Sequence, residues 1–201
     1  MRKFILAILI IFISAFALNA QEHDGVSAVL PPIIRVASAP VNLRPFVFRQ
    51  IHSMLLNDAH GHQLRPAKEV MRQLSNRGTG VLYSYTPEQY RDIAYRLNAN
   101  SLYQAEIYEF QLQTALYREP QGNVTHTQYR LHINIALNRI DAKDGTPQRL
   151  GQLAKDYDSD NRTLFPPAKT PSPINLFRNC AITSAIHELI ENIEKNTDIS
   201  R

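Results

Sequence analysis

Between residues 129 and 138 the chain alternates strictly. Tyr129, Leu131, Ile133, Ile135 and Leu137 interleave with Arg130, His132, Asn134, Ala136 and Asn138. This period of two predicts a strand with one buried and one wet face. Asp141-Ala142-Lys143-Asp144-Gly145 reads as a turn, and Leu150 to Tyr157 as the returning strand of a hairpin. Upstream, Ile33 to Ala37 forms a short β-branched strand segment closed by Pro40. In a further strand Tyr103, Ala105 and Ile107 share one face, and Tyr108, Phe110 and Leu112 the other. The apolar phase flips between Ile107 and Tyr108, which predicts a bulge or a strand buried on both faces.

Elsewhere the spacing is helical. Phe46, Ile51, Leu55 and Leu56 recur between Pro45 and Asn57, predicting an amphipathic helix with Pro45 in its first turn and Gly61 as its left-handed stop. Ala67, Val70, Met71 and Leu74 add another helical turn or two. Thr86-Pro87-Glu88-Gln89 is a capping box, and Tyr90, Ile93, Ala94 and Leu97 form the apolar face behind it. Ser172-Pro173 opens a last helix whose stripe is Ile182, Ile186, Leu189, Ile190 and Ile193. The order is β, α, an element of either kind, α, three β and α. It predicts a single α+β domain, a mixed β-sheet with helices packed on it as a two-layer sandwich.

The first twenty residues follow neither pattern. Arg2 and Lys3 precede an uncharged run from Phe4 to Ile13, and Ala15-Phe16-Ala17 matches the small-x-small cleavage pattern, with Ala20 as a second site. This predicts a secretory signal peptide over 1–20, cleaved near Ala17 or Ala20. The run is shorter than the roughly 20 residues a membrane-spanning helix needs. Residues 21–32 read as a flexible arm, 33–195 as the domain and 196–201 as a C-terminal tail. Cys180 is the single cysteine, far from both cleavage sites, so the expectation is an exported periplasmic protein that is not a lipoprotein.

Composition narrows the partners. With 44% hydrophobic and 20% charged residues, the chain is ordinary globular material with enough apolar content for one core. Its formal charge of +4 falls to +2 once Arg2 and Lys3 are cleaved away. No Lys/Arg cluster is present, so nucleic acid is not an expected partner.

Candidate chemistry is sparse. His52, Asp58, His60 and His62 are the one cluster of metal-ligand residue types, able to hold zinc or copper if the imidazoles converge. The same residues also suit a polar helix end, where histidine complements the dipole. Cys180, with Arg178 and His187 nearby in sequence, is either a nucleophile or a small buried thiol on a helix. Glu106 and Glu109 fall on opposite faces of an unbulged strand, so their cooperation as a carboxylate pair requires the bulge. No nucleophile elbow, S-x-x-K motif or glycine-rich phosphate loop occurs. The expectation is no catalytic residue, no metal and no cofactor, and function through binding. The extended proline-rich loop, with Phe165, Pro166, Pro167, Lys169 and Pro171, is the candidate partner-binding segment.

The run from Thr86 to Asn100 passes directly into Leu102-Tyr103-Gln104-Ala105-Glu106-Ile107-Tyr108-Glu109-Phe110. This resembles the helix and x-I-x-x-F strand of bacterial envelope domains related to the TolB amino-terminal domain. The strand Tyr129–Asn138 with Ile140-Asp141-Ala142-Lys143-Asp144-Gly145 is similar to their hairpin, and Ile174 to Ile193 to their closing helix. The group includes activators of penicillin-binding proteins, the periplasmic part of a curli-secretion channel and a flagellar assembly protein. The resemblance implies a small sandwich of mixed sheet and helices, no enzymatic activity, and work through protein contacts.

The functional expectation is therefore a periplasmic, non-enzymatic accessory protein that binds an envelope machine for peptidoglycan synthesis, secretion or flagellar assembly. The alternative is a small periplasmic metal-binding protein or hydrolase using His52, Asp58, His60 and His62. A third reading is a self-assembling protein that pairs through its sheet edges.

Overall fold

The order of elements follows from where the apolar positions find partners. In the structure, a computed structural model that describes residues 25–57, 63–75, 84–118, 125–159 and 173–198, eight elements appear. They are β1 (Ser27–Ile34), α1 (Leu43–Asn57), α2 (Ala67–Ser75), α3 (Pro87–Leu97), β2 (Ser101–Arg118), β3 (Thr125–Asp141), β4 (Pro147–Asp158) and α4 (Pro173–Asp198). One four-stranded sheet of order β1-β2-β3-β4 runs through the molecule, with β1 parallel to β2 and the other pairs antiparallel. This is the α+β domain with a mixed sheet that the sequence predicts. The expected signal segment, residues 58–62 and residues 160–172 lie outside the described residues.

Three one-residue slips bend the sheet. Tyr108 is the extra residue in β2, between the pairs Ile107–Ile135 and Glu109–Asn134. Leu150 is the extra residue in β4, and the Pro31-Pro32 stretch carries one more residue than its partner in β2. The first slip is the bulge that the apolar phase predicts. It leaves Ala105, Ile107 and Phe110 all buried in the same cluster, which a regular strand would not allow.

The main core lies on one face. Val29 of β1 and Leu131, Ile133, Ile135 and Leu137 of β3 pack against α1 and α4, which contribute Val47, Ile51, Ile182, Ala185, Ile186 and Leu189 among others. A second cluster lies across the sheet at the β1 end, where Ala28, Leu30, Leu102 and Ile140 meet Val70 of α2 and Tyr90, Ile93, Ala94 and Leu97 of α3. Helices thus cover most of one face, leaving Leu116 at the far end of β2 75% exposed, and cover the other only at one end. Ala28 and Leu30 bury on one side of β1 and Val29 on the other, so β1 is buried on both faces.

Two expectations about boundaries are corrected. β1 begins at Ser27, so residues 27–32, expected in a flexible arm, are strand, and the strand ends at Ile34 rather than Ala37. Proline lacks the N–H of a central strand, but β1 is an edge strand, where proline is tolerated. In α1 the buried face is Leu43, Val47, Phe48 and Ile51, whereas Leu56, expected on that face, is 53% exposed.

α3 matches its prediction. Thr86 Oγ1 accepts from the Gln89 N–H and the Gln89 side chain accepts from the Thr86 N–H. Asn98 closes the helix in the left-handed conformation at φ 46°. Arg65 adds a clamp, its Nε donating to Leu97 O at 2.7 Å and its backbone N–H to Ser27 O at 2.8 Å. The β3–β4 turn is sealed by side chains, Asp141 accepting from the Lys143 N–H and Asp144 from the Thr146 N–H.

Candidate functional site

Beyond the end covered by α2 and α3, the second face of the sheet is open. The bulge at Tyr108 places Glu106 and Glu109 on that same face, meeting the condition that their cooperation requires. Each carboxylate is held by neighbours. Glu106 accepts from Arg35 Nε at 3.0 Å, Tyr108 Oη at 2.7 Å and Asn138 Nδ2 at 2.9 Å. Glu109 faces His132 Nε2 at 3.0 Å and accepts from Asn134 Nδ2 at 3.3 Å.

Tyr108 is the centre of the Glu106 half. Two guanidinium groups approach its ring, Arg35 at 5.7 Å and Arg149 at 5.2 Å from the centroid. Its hydroxyl donates to Glu106 and accepts from Arg149. Arg149 reaches on to Gln152 Oε1 at 2.8 Å, and Gln152 Nε2 donates to Asn134 Oδ1 at 2.8 Å. One chain of contacts therefore runs from Arg35 after β1 to Asn134 on β3.

His132 is the centre of the other half. Its Nδ1 lies 2.9 Å from Asp156 Oδ1, while its Nε2 meets Glu109. Both ring nitrogens face acceptors, and only the imidazolium donates from both. The bond to Asp156 raises the His132 pKa above its ordinary value, Glu109 adds to this, and partial burial opposes it. Arg130 and Asp158 extend the face with an ion pair at 2.8 Å. Between these groups lies an open depression of about 290 Å³ lined by Glu109, Gln111, Gln113, Arg130, His132 and Asp156.

The other sequence candidates are placed as follows. His52 sits on α1, half-buried, with Nε2 donating to Arg65 O at 2.9 Å and its ring 6.3 Å from that of Phe48. That bond commits Nε2 to the backbone. Asp58, His60 and His62 lie outside the described residues, as do Phe165, Pro166, Pro167, Lys169 and Pro171. Among the described residues no group of three or more His, Cys, Asp or Glu is placed to hold a metal ion. Cys180 is a free thiol, half-buried on α4. The polar face itself was not assembled by sequence reasoning. Its signal was the polar half of the β3 alternation together with the phase flip in β2.

No protein-family model matches this chain, and no curated protein matches its sequence. Solved structures match its fold. The crystal structure of lipoprotein GNA1162 from Neisseria meningitidis is 15% identical with a TM-score of 0.51, over 83% of this chain and 98% of that one. The hypothetical protein CT253 from Chlamydia trachomatis is 18% identical with a TM-score of 0.42, over 85% and 95%. The C-terminal domain of LpoB from Salmonella enterica is 11% identical with a TM-score of 0.38, over 72% and 90%. The chain thus shares its fold with a bacterial lipoprotein. No helix among the described residues is long and apolar enough to cross a membrane.

Proposed function

We propose that this chain is a non-enzymatic accessory protein of the bacterial envelope, exported to the periplasm, that works by protein–protein contact through the open face of its sheet. The observation that carries this reading is the interlocked polar network on that face. Glu106, Glu109 and His132, the groups with acid–base chemistry, are committed to neighbours across three strands and the segment after β1. Such a network presents fixed charges of both signs at a rigid surface, which favours recognition of a complementary partner. The signal segment supports export. The resemblance to envelope domains supports a partner in peptidoglycan synthesis, secretion or flagellar assembly.

A photo-crosslinking residue at Gln111, on the open face, tests this in the native host. We expect capture of one envelope protein from Gln111 and none from Asn192, which is exposed on α4. Loss of that capture in the Arg35→Glu/Arg149→Glu variant would tie it to the network. Equal capture from both positions, or none from Gln111, overturns the reading.

A further inference from the structure

The outer flank of β1 carries a groove that the polar face does not use. It lies between α1 and α2 as an open groove of about 330 Å³, within the roughly 300–1,000 Å³ typical of small-molecule pockets. Pro31, Pro45, Phe48 and Met71 supply its apolar walls. Met71 is 44% exposed, a large apolar side chain facing solvent. Arg44, Arg49 and Lys68 line the same groove, and none of its described lining residues is acidic. Arg49 and Lys68 are exposed, and neither pairs with a described carboxylate.

The backbone here is closed to a peptide. Pro31 and Pro32 have no N–H to give. The Pro31 carbonyl accepts from Gln104 Nε2 at 2.9 Å, and the Pro32 carbonyl from Arg44 Nε at 3.2 Å. An added strand would find no main-chain partner along this stretch, and such bonds supply its affinity. What the groove does offer is apolar contact beside positive charge that no described carboxylate pairs.

We propose that this groove binds an anionic single-chain amphiphile of the fatty-carboxylate class. The acyl chain lies against Phe48, Met71 and the two prolines, and the carboxylate sits at Arg49 and Lys68. Burial of the chain drives binding, and the cations select the head group.

Calorimetric titration of the purified full chain with dodecanoate, below its micelle-forming concentration, tests the proposal. Saturable one-to-one binding is expected. Dodecyltrimethylammonium, with the same tail and the opposite charge, should bind at least tenfold more weakly. Arg49→Glu/Lys68→Glu should weaken dodecanoate at least tenfold, and Met71→Glu should do the same, with circular dichroism unchanged in both. Absence of dodecanoate binding, equal binding of the cationic amphiphile, or full affinity in the charge-reversed variant overturns the proposal. Binding of phosphatidylglycerol vesicles or of an acidic leucine-rich peptide without dodecanoate also overturns it, assigning the groove to a membrane surface or a protein. A dimer that these substitutions dissociate would overturn it in favour of a second copy.

Discussion

Tyr90 and Tyr157 are both buried, and burial pushes both phenols well above their ordinary pKa. They differ in what their hydroxyls meet. Tyr90 Oη donates to Gln104 Oε1, whose amide in turn satisfies the Pro31 carbonyl at the irregularity in β1. Tyr157 Oη closes no well-formed hydrogen bond, although the Glu188 carboxylate is near. Leaving a buried acceptor unpaired costs about 1–3 kcal/mol. Tyr90→Phe should therefore lower stability by about that amount, while Tyr157→Phe should cost less than about 0.5 kcal/mol. Urea midpoints of the two variants check this, and equal losses would refute it. His132 gives a pH dependence of definite sign. Its folded pKa is raised above an ordinary value of about 6.5, chiefly by Asp156. Its contribution is fully present below that ordinary value and fades as pH rises through the folded one. The side chain is 32% exposed, so solvent screening keeps the effect small. His132→Gln should flatten the stability profile above pH 6, as followed by urea unfolding from pH 5.5 to 8.5. An unchanged slope would show that the two carboxylates do not hold an imidazolium.

Local elements were legible wherever one short-range rule governed them. The Thr86 box needs only neighbouring residues, and it formed as written, so Thr86→Ala should cost about 1 kcal/mol in thermal unfolding. The α4 stripe and the first half of the β3 alternation were legible because a single periodicity matched a single buried face, whereas Ala136 and Asn138, expected on the wet face, are buried where β3 is packed on both sides. Reading failed where tertiary context overrode the local signal. Pro31 and Pro32 argued against a strand, yet the edge position and the Gln104 amide accommodate them. The α1 face was misjudged because its core contacts begin at Leu43, before the proline taken as the start. The polar face was illegible for a different reason: it depends on register across three strands, which periodicity within one strand does not contain. Gly145 shows the same limit. The turn was predicted, but not that its glycine, at φ 72°, passes so close to α3 that a Cβ would lie 2.1 Å from Pro87 O. Gly145→Ala combines left-handed strain with a backbone collision and should cost at least about 2 kcal/mol, read by thermal melting.

At the scale of the whole molecule, the question is whether two core clusters on opposite faces of one sheet make one cooperative unit or two. Cluster membership alternates residue by residue along the shared strands. Ala28 and Leu30 bury with α3 while Val29 buries with α1 and α4, and Leu102 buries with α3 while Ala105 and Ile107 bury on the other side. Neither face can lose its helices without exposing apolar side chains of strands whose other face is still packed. Leu97→Ala opens the smaller cluster and Ile182→Ala the larger, and each should cost about 2–5 kcal/mol. Because β1 and β2 belong to both, unfolding of either variant should remain a single transition. Far-ultraviolet circular dichroism and tyrosine fluorescence should then report coincident midpoints. Separate midpoints in Leu97→Ala would mean that α2 and α3 detach while the sheet and its α1–α4 layer persist. The open polar face would then adjoin a detachable cover rather than a fixed wall. Coincident midpoints would instead make that face as rigid as the core beneath it, as a surface of fixed charges requires.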